Sequence, residues 1–308
     1  MVESSRENRT FDGFSLMELI AVVAIILVMA ALSLPALTAA LNATESKSCA
    51  FNLKQLGFAM SMYSSEQNGK YPTLQRKLGA NCDRKNRGTF IFDGPSIYPA
   101  YATATRLLVC PANEQSVEEY NKGIWKNRYR IQFRCDFGLE SVEEKETAAE
   151  QSGLAANPCL IDDSSYSYFP WVARYEWFMD DATMDLSEEF ESAMKGLFDR
   201  GEEGISRAIE FKDETGNEVA MLPLSEGIQR FLITDVNNPG ASWVGGTNIP
   251  VIFDRVSFAP LLRNHNRLAG NILFLDGHVE FVKHPSNNYY PLTSAWFEFM
   301  TYRKDRYL

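Results

Sequence analysis

The chain has 308 residues, of which 45% are hydrophobic, and this is enough apolar material for a sizeable core. Its formal net charge of −10 and the lack of any lysine- or arginine-rich block exclude a nucleic-acid-binding protein, so no nucleic-acid partner is expected. Its five cysteines include no CxxC pair, which argues against a zinc ribbon or a thioredoxin-type motif.

The first feature along the chain is an apolar segment near the N-terminus. No charged residue occurs from Leu19 to Leu41, and a helix of that length, about 34 Å, crosses a bilayer core. An ordinary secretory signal has a shorter apolar stretch and a basic start. A plain single-pass anchor fits the length but does not explain Glu18, which directly precedes the apolar run. Because a charge at membrane depth is costly, Glu18 is a candidate functional residue.

The segment GFSLMELI at positions 13–20 resembles the processing site of type IV prepilins and type II secretion pseudopilins. The resemblance implies that a prepilin peptidase/N-methyltransferase cleaves after Gly13 and methylates the new N-terminus, Phe14. It also implies that Glu18 acts in assembly and that Pro35 kinks the helix. Family leaders usually have a basic residue close before the glycine, whereas the adjacent residue here is acidic.

The helix is expected to continue beyond the membrane. Apolar side chains at helical spacing share one face, namely Cys49, Leu53, Leu56, Met60 and Tyr63. Gly69 and Pro72 predict a stop. We therefore predict one helix over 14–68, membrane-spanning at about 19–41, whose second half packs on the head. On that face Cys49 is expected to be buried and unpaired.

A second resemblance concerns the head. Residues 49–63 and the GKYP at 69–72 resemble a subfamily of prepilin-like proteins abundant in planctomycete- and lentisphaera-type bacteria. That subfamily has a Cys-Pro pair after an apolar stretch, matched by Cys110-Pro111, and ends with a histidine followed by an Asp-Gly hairpin. Here His265 precedes Asp276-Gly277 with one residue more between them than in the family pattern. The resemblance covers the two ends of the chain and not its middle.

The C-terminal part predicts a β-hairpin over 271–282. Apolar strands flank Asp276 and Gly277, which are typical of a two-residue type I′ turn. His265, His278 and His284 lie nearby, but their spacing matches no standard metal-ligand pattern. We expect no metal and no other cofactor, and we expect the His265 side chain to bond to backbone near the hairpin.

The middle of the chain is acidic. Carboxylates at 140–150 predict a solvated segment, and those at 180–191 predict the start of an amphipathic helix whose dipole favours them. Calcium binding remains an alternative because oxygen ligands abound, although the acidic loop at 235–240 is broken by Pro239. The aromatic-rich stretch 164–178 could line a carbohydrate surface, but core packing is the favoured interpretation.

The cysteines of the head become disulfide candidates if the head is exported. We expect at least one disulfide within a set of four: Cys82, Cys110, Cys135 and Cys159.

The sequence therefore predicts an α+β, pilin-like lollipop. Its parts are a leader at 1–13, the helix at 14–68 packed on a C-terminal antiparallel sheet, and an exported head at 69–308 with a helical and loop-rich insertion.

No catalytic motif is present, so a structural, non-enzymatic function is expected. The expected location is the inner membrane, crossed once, or a surface or periplasmic filament, and the expected partners are the peptidase and other pilin or pseudopilin subunits. The alternative is a surface-anchored binding or polysaccharide-handling protein that uses the prepilin signal only for export.

Overall fold

The computed structural model describes most of the N-terminal half and the main elements of the C-terminal half. The described residues are 15–78, 84–121, 157–172, 188–199, 207–212, 216, 218–228, 248–258, 263–265, 268–283, 292–298 and 300. The chain divides into two compact units, Met1–Thr44 and Glu45–Leu308.

One long helix dominates the N-terminal part of the chain. This helix, α1, spans Leu16–Glu66, close to the predicted range, and continues through Pro35 without ending. It stops where Asn68 and Gly69 take positive φ angles of 55° and 80°. The Gly69 N–H then donates to the Ser64 carbonyl at 2.8 Å, which satisfies a carbonyl of the last turn.

The two parts of α1 differ in burial. Every residue from 15 to 44 is exposed, and the helix is long and apolar enough to cross a membrane. The part in the second unit has one buried face, formed by Cys49, Leu53, Leu56, Ala59, Met60 and Ser64. Tyr63 packs partly buried against the same core. The predicted apolar face is therefore confirmed.

The described part of the second unit also contains short strands and helices. The strands are β1 Leu74–Leu78, β2 Arg84–Phe92, β3 Tyr166–Tyr168, β4 Ile209–Lys212, β5 Glu218–Met221, β6 Pro250–Asp254, β7 Ala269–Phe274 and β8 Val279–Lys283. The helices are α2 Gly94–Ile97, α3 Glu114–Asn121, α4 Glu188–Asp199 and α5 Ser294–Glu298, with 3-10 turns at Thr105–Leu108 and Pro158–Leu160.

The main sheet has four strands in the order β3-β6-β7-β8, and β1-β2 and β4-β5 are separate two-stranded sheets. All of these pairings are antiparallel. Every residue of β6 and β7 is buried, so both faces of the central strands are covered. On one face α1 approaches closely, since a Cβ on Gly57 would lie 3.0 Å from Leu273 Cδ2. On the other face Trp296 packs edge-on against Phe253. The chain is thus α+β, with a long N-terminal apolar helix and antiparallel sheets.

The predicted hairpin forms between β7 and β8, but its turn differs from the prediction. Leu273 pairs with Val279, and the Phe274 N–H donates to the His278 carbonyl at 3.0 Å. Three residues rather than two therefore form the loop, and Gly277 alone among them has positive φ, at 87°. The type I′ prediction is wrong because that turn needs positive φ at both central residues. The observed loop is typical of a type I turn followed by a left-handed glycine.

Two predictions for the middle of the chain are confirmed where the structure describes it. α4 buries Phe190 and Met194 and has its carboxylates in its first turn. In the aromatic stretch, Tyr166, Tyr168 and Trp171 are buried in the core, as the favoured interpretation expected. The acidic segment 140–150, the carboxylates at 180–185, the loop 235–240, the aromatic residues at 175–178 and His284 lie outside the described residues.

Candidate functional site

The candidate processing segment is described only from Ser15 onward, so Gly13 and Phe14 lie outside the described residues. Ser15 is the residue before α1 and Glu18 is the third residue of the helix. The Ser15 N–H donates to Glu18 Oε2 at 2.9 Å, and the Glu18 N–H donates to Ser15 Oγ at 3.3 Å. This reciprocal pair is a capping box. Glu18 therefore has a local partner in its own chain, Ser15.

A second candidate site lies inside the head around the carboxylate of Asp254. This carboxylate is fully buried at the end of β6. Its Oδ2 accepts hydrogen bonds from the backbone N–H and the side-chain Nδ2 of Asn271, both at 2.7 Å. Its Oδ1 accepts from Asn264 Nδ2 at 2.9 Å. A buried carboxylate is tolerated only when donors surround it, and here both oxygens are satisfied.

His265 completes this arrangement. Its Nε2 lies 2.7 Å from Asp254 Oδ2, and its ring packs edge-on against Phe281. Burial lowers the pKa of His265, but the charge and hydrogen bond of Asp254, together with the charge of Glu45, outweigh it and raise the pKa above its ordinary value. The prediction that His265 bonds to backbone near the hairpin is wrong, because the buried carboxylate is a stronger acceptor than a carbonyl.

Asn271 connects this cluster to α1. Its Nδ2 donates to the Ser46 carbonyl at 3.2 Å as well as to Asp254. The same side chain therefore satisfies a carboxylate on the sheet and a carbonyl on the helix, which fixes the two elements against each other.

A disulfide joins Cys49 of α1 to Cys110, across 61 residues of sequence. The expectation that Cys49 is unpaired is therefore wrong: the residue is buried on the predicted face, but that face points at Cys110. Cys159 is also disulfide-bonded. Cys82 and Cys135, the remaining disulfide candidates, lie outside the described residues.

The disulfide and the His265–Asp254 pair lie side by side. One ligand atom from each of Cys49, Cys110, Asp254 and His265 falls within 4.8 Å of the others, and all four residues are buried. These residues come from α1, the segment after the first 3-10 turn, β6 and the connection between β6 and β7. The fold thus brings four separate parts of the chain together at one point.

The hairpin motif does not join this cluster. Asp276 Oδ1 contacts His278 Nδ1 at 2.5 Å and accepts the His278 backbone N–H at 3.1 Å. Asp276 and Gly277 therefore shape the turn, as the sequence suggested for Asp276, and His265 belongs to a different site. Among the described residues, the histidines and Asp276 do not assemble into one metal-ligand set.

No motif in the sequence singled out Asp254, Asn264 or Asn271. Two signals were present: Asn271 interrupts the apolar run of β7, and Asp254 ends the apolar run of β6. A polar residue inside a buried strand requires a polar partner, so these two residues could have been identified as a buried pair.

Comparison with protein-family models, curated proteins and solved structures finds no match to this chain.

Proposed function

We propose that this chain is a structural, non-enzymatic subunit, or a membrane-stored precursor of one, of a type IV pilus or a type II secretion pseudopilus. In this proposal prepilin peptidase cleaves after Gly13 and α1 crosses the inner membrane at about 19–41. The head is exported and carried on the helix in a pilin-like lollipop arrangement. The partners are the peptidase and other pilin or pseudopilin subunits.

The observation that carries the proposal is the exposure of α1 over residues 15–44. These residues are exposed on every side of the helix, and no charge occurs from Leu19 to Leu41. A helix that is apolar all round needs a bilayer or other apolar helices around it. The membrane provides that cover for a stored precursor, and neighbouring helices provide it in a filament.

The start of α1 supports the same proposal. The helix begins at Leu16, three residues after the proposed cleavage site, so cleavage would leave the helix intact. Ser15 and Glu18 would both remain in the mature chain, and their capping box would remain with them.

The disulfide chemistry supports export of the head. Cys49, Cys110 and Cys159 are all disulfide-bonded. Disulfides persist in oxidising compartments and are rare in the cytosol.

The processing step is tested by mass spectrometry of the protein from its native host. We expect a chain that starts at N-methylated Phe14. An N-terminus at Met1, or one near Ala43 produced by an ordinary signal peptidase, would contradict the prepilin proposal.

Assembly is tested separately by shearing filaments from the cells and probing them for this chain. Presence in the filaments supports the subunit role. A processed chain that never enters filaments would favour the anchored binding or polysaccharide-handling alternative. Buried Tyr166, Tyr168 and Trp171 do not support that alternative, because sugar-stacking aromatics need to be exposed.

A further inference from the structure

We propose that the head has a second, reduced state in which it binds a single Zn²⁺ ion through four buried side chains: Cys49, Cys110, Asp254 and His265. The disulfide and the zinc ion are mutually exclusive occupants of this site, because only free thiolates bind zinc. The inference does not depend on whether the chain enters a filament.

The geometry is close to that of a zinc site. The four ligand atoms already lie within 4.8 Å of one another. In a tetrahedral site with Zn–S bonds of 2.3 Å and shorter Zn–N and Zn–O bonds, ligand atoms lie roughly 3.3–3.8 Å apart. Once the bond is reduced, the two sulfurs must separate from 2.07 Å to roughly 3.8 Å, by rotation of the two cysteine side chains, to place all four ligands around one ion.

The chemistry of the donor set selects zinc. Two thiolates, one imidazole and one carboxylate are the ligand types of tetrahedral zinc sites. Calcium and magnesium take six or more oxygen ligands, and this cluster provides one carboxylate.

The surrounding hydrogen bonds already hold the carboxylate in place. Asn264 binds Oδ1 of Asp254 and Asn271 binds Oδ2, through donors that remain available when one oxygen is shared with a metal. Such outer hydrogen bonds orient the ligands of metal sites and increase affinity. The present His265–Asp254 contact brings an imidazole nitrogen beside the same carboxylate.

The exchange between the two states is balanced. A dithiol reductant transfers two electrons and two protons to the Cys49–Cys110 bond and becomes a disulfide itself. Zinc then displaces the two thiol protons and binds the resulting thiolates, and the proton that His265 Nε2 shares with Asp254 moves to Nδ1 or leaves, which frees Nε2 for the ion. In an exporting compartment a disulfide oxidant accepts two electrons from the two thiolates and becomes a dithiol, which re-forms the Cys49–Cys110 bond and releases the ion. In either state α1 stays linked to the segment that contains Cys110.

The test uses the full chain purified in detergent, compared in its disulfide form and after complete reduction with a phosphine under argon. Each sample receives one equivalent of Zn²⁺ and is passed over a chelating resin, and the retained zinc is measured by mass spectrometry. We expect the reduced chain to retain about one ion and the disulfide form less than about a tenth of that. Reduced chain that retains no zinc, or disulfide form that retains as much as reduced chain, would overturn the proposal.

Variants and a spectroscopic probe assign the ligands. Co²⁺ bound to the reduced chain should show a thiolate charge-transfer band and the strong visible bands of tetrahedral cobalt. His265→Ala and Asp254→Asn should each weaken metal binding about tenfold or more. His278→Ala and Cys159→Ser are matched controls outside the cluster and should bind as the unaltered chain does. Equal binding by the His265→Ala chain, or loss in the Cys159→Ser chain, would place the metal elsewhere and overturn the assignment.

Discussion

The carboxylate of Asp254 is fully buried and depends on the groups that donate to it. Removing a carboxylate from water is costly, and the cost is offset here by His265, Asn264 and Asn271. The hairpin offers a direct comparison, because His278 and Asp276 form a similar pair at 41% and 34% side-chain exposure. The two pairs share a His–Asp contact, but Asp254 is buried and also accepts hydrogen bonds from Asn264 and Asn271. Substitutions in each pair therefore compare a buried, networked carboxylate with an exposed one.

We predict that Asp254→Ala lowers the free energy of unfolding of the disulfide form by about 3–5 kcal/mol, because it leaves the buried His265 imidazole and the Asn271 backbone N–H without this acceptor. Asp276→Ala is the control and should cost about 1 kcal/mol or less, since solvent replaces the lost contact. Urea unfolding of the detergent-solubilised chain, followed by near-ultraviolet circular dichroism, measures both. Equal losses would mean that the burial of Asp254 and its bonds to Asn264 and Asn271 together contribute nothing.

At the scale of elements, the β7–β8 hairpin depends on one backbone angle. Gly277 has a φ of 87°, and, apart from its two chain neighbours, no atom of the described residues lies within 4 Å of where its Cβ would be. A side chain at this position therefore meets conformational strain and no steric clash.

We predict that Gly277→Val destabilises the head by about 1–2 kcal/mol, because a β-branched residue rarely adopts a left-handed conformation. Gly277→Asn should cost clearly less, since asparagine tolerates positive φ. The same unfolding experiment compares the two variants. If asparagine costs as much as valine, the φ angle is not the cause.

The second half of α1 is held to the head by packing and by a covalent bond. The buried face of α1 packs on the core, and the Cys49–Cys110 disulfide joins two residues that are 61 positions apart in the sequence. A crosslink of this length restricts the unfolded chain by about 4 kcal/mol in the chain-entropy account.

We predict that Cys110→Ala lowers the free energy of unfolding by about 4 kcal/mol under oxidising conditions. The chain with both Cys49→Ala and Cys110→Ala should lose no more than about 1–2 kcal/mol beyond this, because both changes remove the same bond. If the double variant instead loses the sum of the stability losses of the two single variants, the two residues do not act through one disulfide.

At the scale of the whole molecule, Glu18 has two candidate roles. It is part of the capping box with Ser15, and it would face the new amine of Phe14 on a neighbouring subunit after cleavage. In an apolar filament core a charge pair is stronger than in water, and helices out of register would leave one charge buried without a partner. Capping acts within one chain, whereas register acts between chains, so the two roles can be separated.

We predict that Glu18→Ala and Glu18→Leu leave leader removal and head folding intact but leave the protein in the inner membrane, absent from sheared filaments. Ser15→Ala is the matched control: it removes one hydroxyl of the capping box and keeps the carboxylate, so it should assemble. Loss of assembly in all three variants would show that Glu18 acts through the capping box. Normal assembly of the Glu18 variants would show that Glu18 does not set the register between subunits.

The sequence by itself determined the elements whose signals are local. The uninterrupted apolar run of α1, the face around Leu53, Leu56 and Met60 and the β7–β8 hairpin all follow from periodicity within a short window. The loop length of that hairpin was misjudged because Asp-Gly suits both a two-residue and a three-residue loop.

Only the tertiary structure decided the buried cluster and its disulfide. The sequence indicates the helical face on which Cys49 lies. It does not indicate that this face meets Cys110, because Cys110 is 61 residues away. Asn271 contacts Ser46 across 225 residues, and His265 reaches Asp254 from a different segment. Such contacts depend on how complete elements pack, and packing is set by the sum of many apolar contacts that no local pattern contains.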